Sequence, residues 1–208
     1  DYSEASKVAA KNLKKYENYI CVQGNIYNLP FKERSFDFVY CLGVLQHTPN
    51  VELAFKKLVP MVKIDGDLIV DYYSSRLKTI IGWKYIVRII TSRLDENKVF
   101  KILKHIHPFF YKTSELIIRL PFVGRILSRM IPVANYRKDY PQLGDKLLKD
   151  WSFLDTYDAW APKYDNPQSI SKIRRWANDM NLKHIETEYA GHLVLRAKVP
   201  DCLDRLSE

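Results

Sequence analysis

Glycine is scarce in this chain. Only seven occur among 208 residues, at positions 24, 43, 66, 82, 124, 144 and 191, and no two lie closer than sixteen residues. A phosphate-cradling loop needs several glycines within a few residues, so neither a GxGxxG loop nor a Walker loop exists here. Cysteine is also sparse. Cys21, Cys41 and Cys202 are odd in number and share no CxxC or metal-ligand spacing. They read as reduced thiols of a cytosolic protein rather than a disulfide framework. No apolar run approaches the roughly 20 residues needed to cross a bilayer, and no signal peptide is present. Residue 1 is Asp rather than Met, which reads as a processed or truncated start. Secreted scaffold, collagen and membrane-spanning protein are excluded.

What is there suits one domain, or one domain with a large insertion. At 47% hydrophobic and 27% charged residues the chain can fill a core. The formal charge of +9 allows an anionic partner without naming it. Residues 3–18 read as a helix with Ser3 near its start and Val8, Ala9, Leu13 and Tyr16 close to one face. Residues 20–23 read as a short buried strand. The apolar run 36–42 reads as a parallel strand covered on both faces. Pro49 opens a helix to about Leu58, whose apolar stripe is Val51, Ala54, Phe55 and Leu58. Asp65-Gly66 reads as a turn and 67–73 as another strand, which completes a βαβ unit. Near the C-terminus, 168–181 reads as a helix with Ile170, Ile173, Trp176, Ala177 and Met180 inward. Two strands, 184–189 and 192–198, are joined by Ala190-Gly191. That connection is too short for a parallel crossover, so they form an antiparallel hairpin.

Between Arg76 and Lys138 the text becomes helical, basic and rich in aromatics. Fourteen Lys/Arg stand against three acids there, so the whole positive balance lies in this segment. It reads as an insertion in a near-neutral α/β domain.

The stretch Val22-Gln23-Gly24-Asn25, Leu29-Pro30-Phe31, Ser35-Phe36-Asp37-Phe38-Val39-Tyr40 and Gly43-Val44-Leu45-Gln46-His47 resembles class I S-adenosylmethionine-dependent methyltransferases. The similarity points to the small-molecule branch with the ubiquinone and menaquinone methyltransferases. Asp65-Gly66-Asp67-Leu68 matches the glycine turn before that family's fifth strand. Pro162-Lys163-Tyr164-Asp165 matches a segment before its last helix, and the terminal hairpin fits its antiparallel seventh strand. The implied fold is a Rossmann-like α/β sheet, parallel with one antiparallel terminal hairpin strand. Its core covers 1–75 and 151–198, with an inserted helical lid at 76–150 and a tail at 199–208. The family's first strand and glycine-rich cofactor loop have no counterpart here. The resemblance therefore implies a fold truncated at its N-terminus, inactive or impaired as this chain, with an exposed sheet edge that favours a homodimer or poor solubility.

The resemblance also implies site residues and S-adenosylmethionine as cofactor. Asp1 would accept bonds from the ribose hydroxyls and Tyr2 would lie against the adenine; a frayed terminus is the plain alternative. Asn25 stands where the family has Asp beside the adenine amino group, and Ile26 would touch the ring. Cys41, Leu42 and Gly43 follow the central strand, at the end where doubly wound sheets bind ligands. His47 is either a general base or a residue that shapes the pocket or caps the Pro49 helix. Tyr73, Trp160 and Tyr164 would line the acceptor pocket, one of Tyr72 and Tyr73 being core because strand neighbours face opposite sides. No metal cluster is expected.

The implied activity is methyl transfer to a small-molecule or lipid-linked acceptor. The alternative is a non-catalytic domain that keeps the sheet and uses its basic insertion to bind an anionic partner. Within 78–131, apolar helices with interspersed cations read either as a lid or as a lid that also rests on an anionic membrane surface. Nucleic acid is disfavoured because no RNA-binding motif accompanies the charge.

Overall fold

The structure is a computed structural model, and it describes residues 2–75, 83–128 and 130–201. Asp1 and Cys202 lie outside the described residues, as does the tail beyond 201. The chain divides into two compact units, one formed by 1–75 and 165–208, the other by 76–164.

The first unit is an α/β sheet with helices. Strand β1 (Phe36–Cys41) pairs in parallel with β2 (Val62–Tyr72), as a βαβ unit requires. Strand β4 (His192–Lys198) runs antiparallel between β2 and β3 (Lys183–Ala190), giving the order β1-β2-β4-β3. This is the parallel sheet closed by an antiparallel hairpin that the pattern called for. Gly191 turns the hairpin with φ +76, a backbone region open to glycine.

One face of the sheet makes the core. Leu68, Val70 and Tyr72 of β2 and Leu193, Leu195 and Ala197 of β4 are buried against α2 (Val51–Leu58) and α7 (Ile170–Asp179). The stripe Val51, Ala54, Phe55 and Leu58 faces inward as its spacing dictates, and so do Ile173, Trp176 and Ala177. Both helices start on side-chain caps. The Asn50 oxygen accepts Leu53 N–H at 3.0 Å, and the Ser169 hydroxyl accepts Lys172 N–H at 3.3 Å.

Several expectations are corrected. Helix α1 spans only Ala5–Leu13, and residues 20–23 are not part of a strand. Strand β1 is not covered on both faces: Phe36, Phe38 and Tyr40 stand exposed, with Phe31 edge-on against Phe36, and only Val39 and Cys41 are half-buried; among the described strands β1 is the edge of the sheet. Asp65-Gly66 is not a turn before β2 but a bulge within it, where the register shifts between Phe36 and Phe38. Asp65 adopts φ +57, and a Cβ on Gly66 would sit 2.7 Å from the Asp37 carbonyl oxygen, so only glycine fits.

The second unit is helical: α3 (Trp83–Thr91), α4 (Glu96–Ile118), the short α5 (Gly124–Ser128) and α6 (Asp145–Trp160). It extends to Tyr164 rather than ending at 150. Helix α6 packs on α4, Ser152 bonding to His107 and Trp160 packing with Val99 and Leu103, so 151–164 goes with this helical unit. Its polar inward positions are satisfied: Ser152 donates to the Ala134 carbonyl at 2.5 Å and accepts from His107 Nε2 at 2.9 Å. No described helix is long and apolar enough to cross a membrane.

Candidate active site

The carboxyl ends of β1 and β2 lie side by side in the first unit, and the chain leaves β1 through Leu42 and Gly43. Gly43 has φ +71, and a Cβ built on it would meet nothing within 4 Å, so open space adjoins this backbone. Its N–H donates to Asp71 Oδ1 at 2.6 Å. Asp71 lies near the end of β2 on the face opposite the core, yet it is only 7% exposed. Its second oxygen, Oδ2, accepts from His192 Nδ1 at 2.9 Å. An ionised carboxylate only accepts, so Nδ1 carries a hydrogen; in the neutral ring the lone pair is then on Nε2.

Register explains how residues so far apart meet. Tyr72 pairs with Leu193, so His192 lies across from Tyr73 at the end of β2. The Tyr73 ring sits edge-on between two imidazoles, 5.2 Å from His192 and 5.5 Å from His47. Strand alternation sends Tyr72 into the core and Tyr73 to this other face. The loop after the helical unit braces the cluster. Gln168 N–H donates to the Tyr73 carbonyl at 2.7 Å, and Asn166 N–H donates to the Gln46 carbonyl at 2.8 Å. Burial, reinforced by the Asp71 charge, pushes the Cys41 thiol up to about 12, so Cys41 is an inert part of the wall.

The nominated residues divide. Cys41, Leu42, Gly43, His47 and Tyr73 come together at this strand end. His47 is not the cap of α2, since Asn50 fills that role. Asn25 uses its side-chain oxygen to accept Tyr27 N–H at 3.0 Å, and Ile26 packs half-buried against the core. Tyr2 is exposed, and its carbonyl accepts from Gln23 Nε2 at 3.1 Å. Trp160 and Tyr164 belong to the helical unit, where Trp160 is buried with Val99 and Leu103. Asp71 and His192 are the two that sequence reading missed. A lone carboxylate in the apolar run of β2 was the available signal for the first. The second begins a strand after a two-residue turn, and only the register shows where it lands.

These residues fit one side of a S-adenosylmethionine site. Gly43 leaves space, and the amide of Gln46 is fully buried with neither its nitrogen nor its oxygen bonded to a described protein group. A buried amide of that kind calls for a partner. Asn25 fits less well, one lone pair of its oxygen being already engaged. No metal-ligating cluster occurs among the described residues.

The first unit is thus a Rossmann-like α/β sheet with one parallel and two antiparallel pairings, and open space adjoins the backbone just beyond β1. Residues 1–70 match the family described as a methyltransferase domain. An uncharacterized protein of Methanocaldococcus jannaschii is 39% identical over 69 residues, a stretch covering 33% of this chain and 29% of that relative. Among solved structures, a S-adenosylmethionine-dependent methyltransferase of Thermotoga maritima aligns over 95% of this chain and 70% of its own, with 14% identity and a TM-score of 0.46. Another from Methanosarcina mazei aligns over 95% and 78%, with 12% identity and a TM-score of 0.45.

Proposed function

We propose that the chain carries the acceptor-facing half of a S-adenosylmethionine-dependent methyltransferase site. The observation that supports this is the Gly43–Asp71–His192 linkage at the carboxyl ends of parallel strands, where such sheets bind ligands. It lies beside a stretch that matches a methyltransferase domain.

Tyr2, Asn25, Ile26, Leu42 and Gly43 would hold the cofactor, with Asp1 beyond them. When bound, the cofactor supplies a methyl group on a positively charged sulfur, already activated for transfer. The protein's share is then to orient the acceptor, exclude water and take a proton where the acceptor must lose one. Asp71 fixes the His192 ring and its tautomer, so the Nε2 lone pair can take the proton of an acceptor hydroxyl. Tyr73 and His47 form the aromatic side of that space. Such an arrangement favours a hydroxylated acceptor, small or lipid-linked, in the manner of the ubiquinone branch.

Calorimetric titration with S-adenosylhomocysteine tests the reading. Saturable micromolar binding, weakened by Gly43→Val, is expected. No heat at low or moderate salt would overturn the assignment of a cofactor site to this chain.

A further inference from the structure

The helical unit carries a feature that methyl transfer does not use. After α4 the chain makes a tight turn at Pro121-Phe122-Val123, closed by Val123 N–H to the Pro121 carbonyl at 2.6 Å. Phe122 sits there at φ +59 and is 99% exposed. A bulky residue in the left-handed region is strained, and this one recovers nothing by packing. Its neighbours repeat the theme: Leu116, Leu120, Val123, Ile126 and Met130 are all exposed. Exposed apolar side chains gathered within fifteen residues of the chain around the tip of so strained a turn point to an interaction site.

Charge says what the tip meets. The segment 76–164 holds seventeen Lys/Arg against eight Asp/Glu, which accounts for the chain's whole net charge of +9. From 97 to 138 the one acid is Glu115, and it is buried and paired with Arg137 and Asn135. Lys98, Lys101, Lys104, Lys112 and Arg119 are exposed over the same stretch. A protein groove that took up the tip would need a matching cavity. An anionic lipid surface needs only apolar side chains to enter it and cations to stay at its headgroups.

We propose that the tip around Phe122 seats this chain on an anionic bilayer, with Phe122 and Ile126 entering the acyl boundary. The inference stands independently of the cofactor reading, because its test needs no cofactor.

The test is sedimentation of the full chain with large phosphatidylcholine vesicles, with and without phosphatidylglycerol. Binding is expected only to the anionic vesicles, and added salt should weaken it. Phe122→Ser removes one inserted aromatic and should weaken partitioning about ten- to a hundredfold. Since Phe122 packs on nothing, its circular dichroism should be unchanged. In Phe122→Trp, the added indole should shift its emission to the blue with anionic vesicles. No binding, equal binding to neutral vesicles, or undiminished binding by Phe122→Ser would each overturn the proposal. So would a Phe122-dependent dimer that ignores vesicles, which would make the tip a protein interface.

Discussion

Asp71→Asn is the sharpest probe of the strand-end cluster. The carboxylate accepts two hydrogen bonds, from Gly43 N–H at 2.6 Å and from His192 Nδ1–H at 2.9 Å. Asparagine keeps the shape but offers one oxygen and one NH2, so a donor must now face a donor. The Gly43 amide cannot give up its hydrogen, whereas an imidazole can move its own. The amide oxygen should therefore turn to Gly43 and its NH2 to His192 Nδ1, which drives the ring proton to Nε2. Hydrogen bonds to a charged group contribute about 1.5–3 kcal/mol and neutral ones about 0.5–1.5 kcal/mol. Converting two would cost roughly 2–3 kcal/mol, and the exposure of the His192 side chain trims its share by solvent screening. A loss of about 1–2 kcal/mol is expected, read as a lower urea midpoint at unchanged slope. The imidazole nitrogen chemical shifts should report the tautomer change directly. If His192 keeps its hydrogen on Nδ1 in Asp71→Asn, or the urea midpoint does not move, Asp71 does not orient that ring and the proposed base falls.

Other perturbations reach different parts of the molecule. Gly66→Ala drives a Cβ to within 2.7 Å of both the Asp37 carbonyl oxygen and Val62 Cγ1, so the bulge must open, and denaturant unfolding should show a loss of about 2 kcal/mol or more. Cys41, with its thiol near 12, should alkylate far more slowly at about pH 8 than exposed Cys21, and Asp71→Asn should speed it modestly; equal rates by mass spectrometry would refute the burial argument. Burial, then the nearby Lys149 charge, lowers the pKa of His107. Above about pH 6.5 both folded and unfolded imidazoles are neutral; below it the unfolded chain takes up a proton that the folded one refuses, so thermal stability should fall as pH drops from there, and this slope should shrink in His107→Gln. The open edge of β1, with Phe38 and Tyr40 exposed, should drive self-association, which light scattering would detect and Val39→Pro would suppress; a monodisperse monomer of the unaltered chain would count against it.

What could be read from residues alone tracks how local the determining physics is. The stripes of α2 and α7 and the alternation of β4 are short-range patterns, and they place Phe55, Trp176 and Leu195 in the core without knowledge of any partner. Where the outcome depends on a distant neighbour, the same reasoning misplaces structure. Ile20 to Gln23 have strand-like side chains but are not part of a strand, and Asp65-Gly66 carries a turn signal that pairing with β1 makes a bulge. The resemblance assigned residues from 151 onward to the sheet core, yet helix α6 runs unbroken across that boundary, and two of its four buried positions are Ser152 and Thr156. Their hydrogen bonds to His107 and to the Ala134 backbone, made from other parts of the unit, restore the inward face. The site follows the same rule. Gly43 and His47 were visible as residues of a strand end, but Asp71 and His192 stand 121 residues apart and acquire meaning only through the β2–β4 register. A buried polar group cannot stay unpaired, so a carboxylate in an apolar strand predicts a donor somewhere else in the chain. Asp71 therefore announced a partner that periodicity had no means to name. That partner is His192, reached through Nδ1 at 2.9 Å.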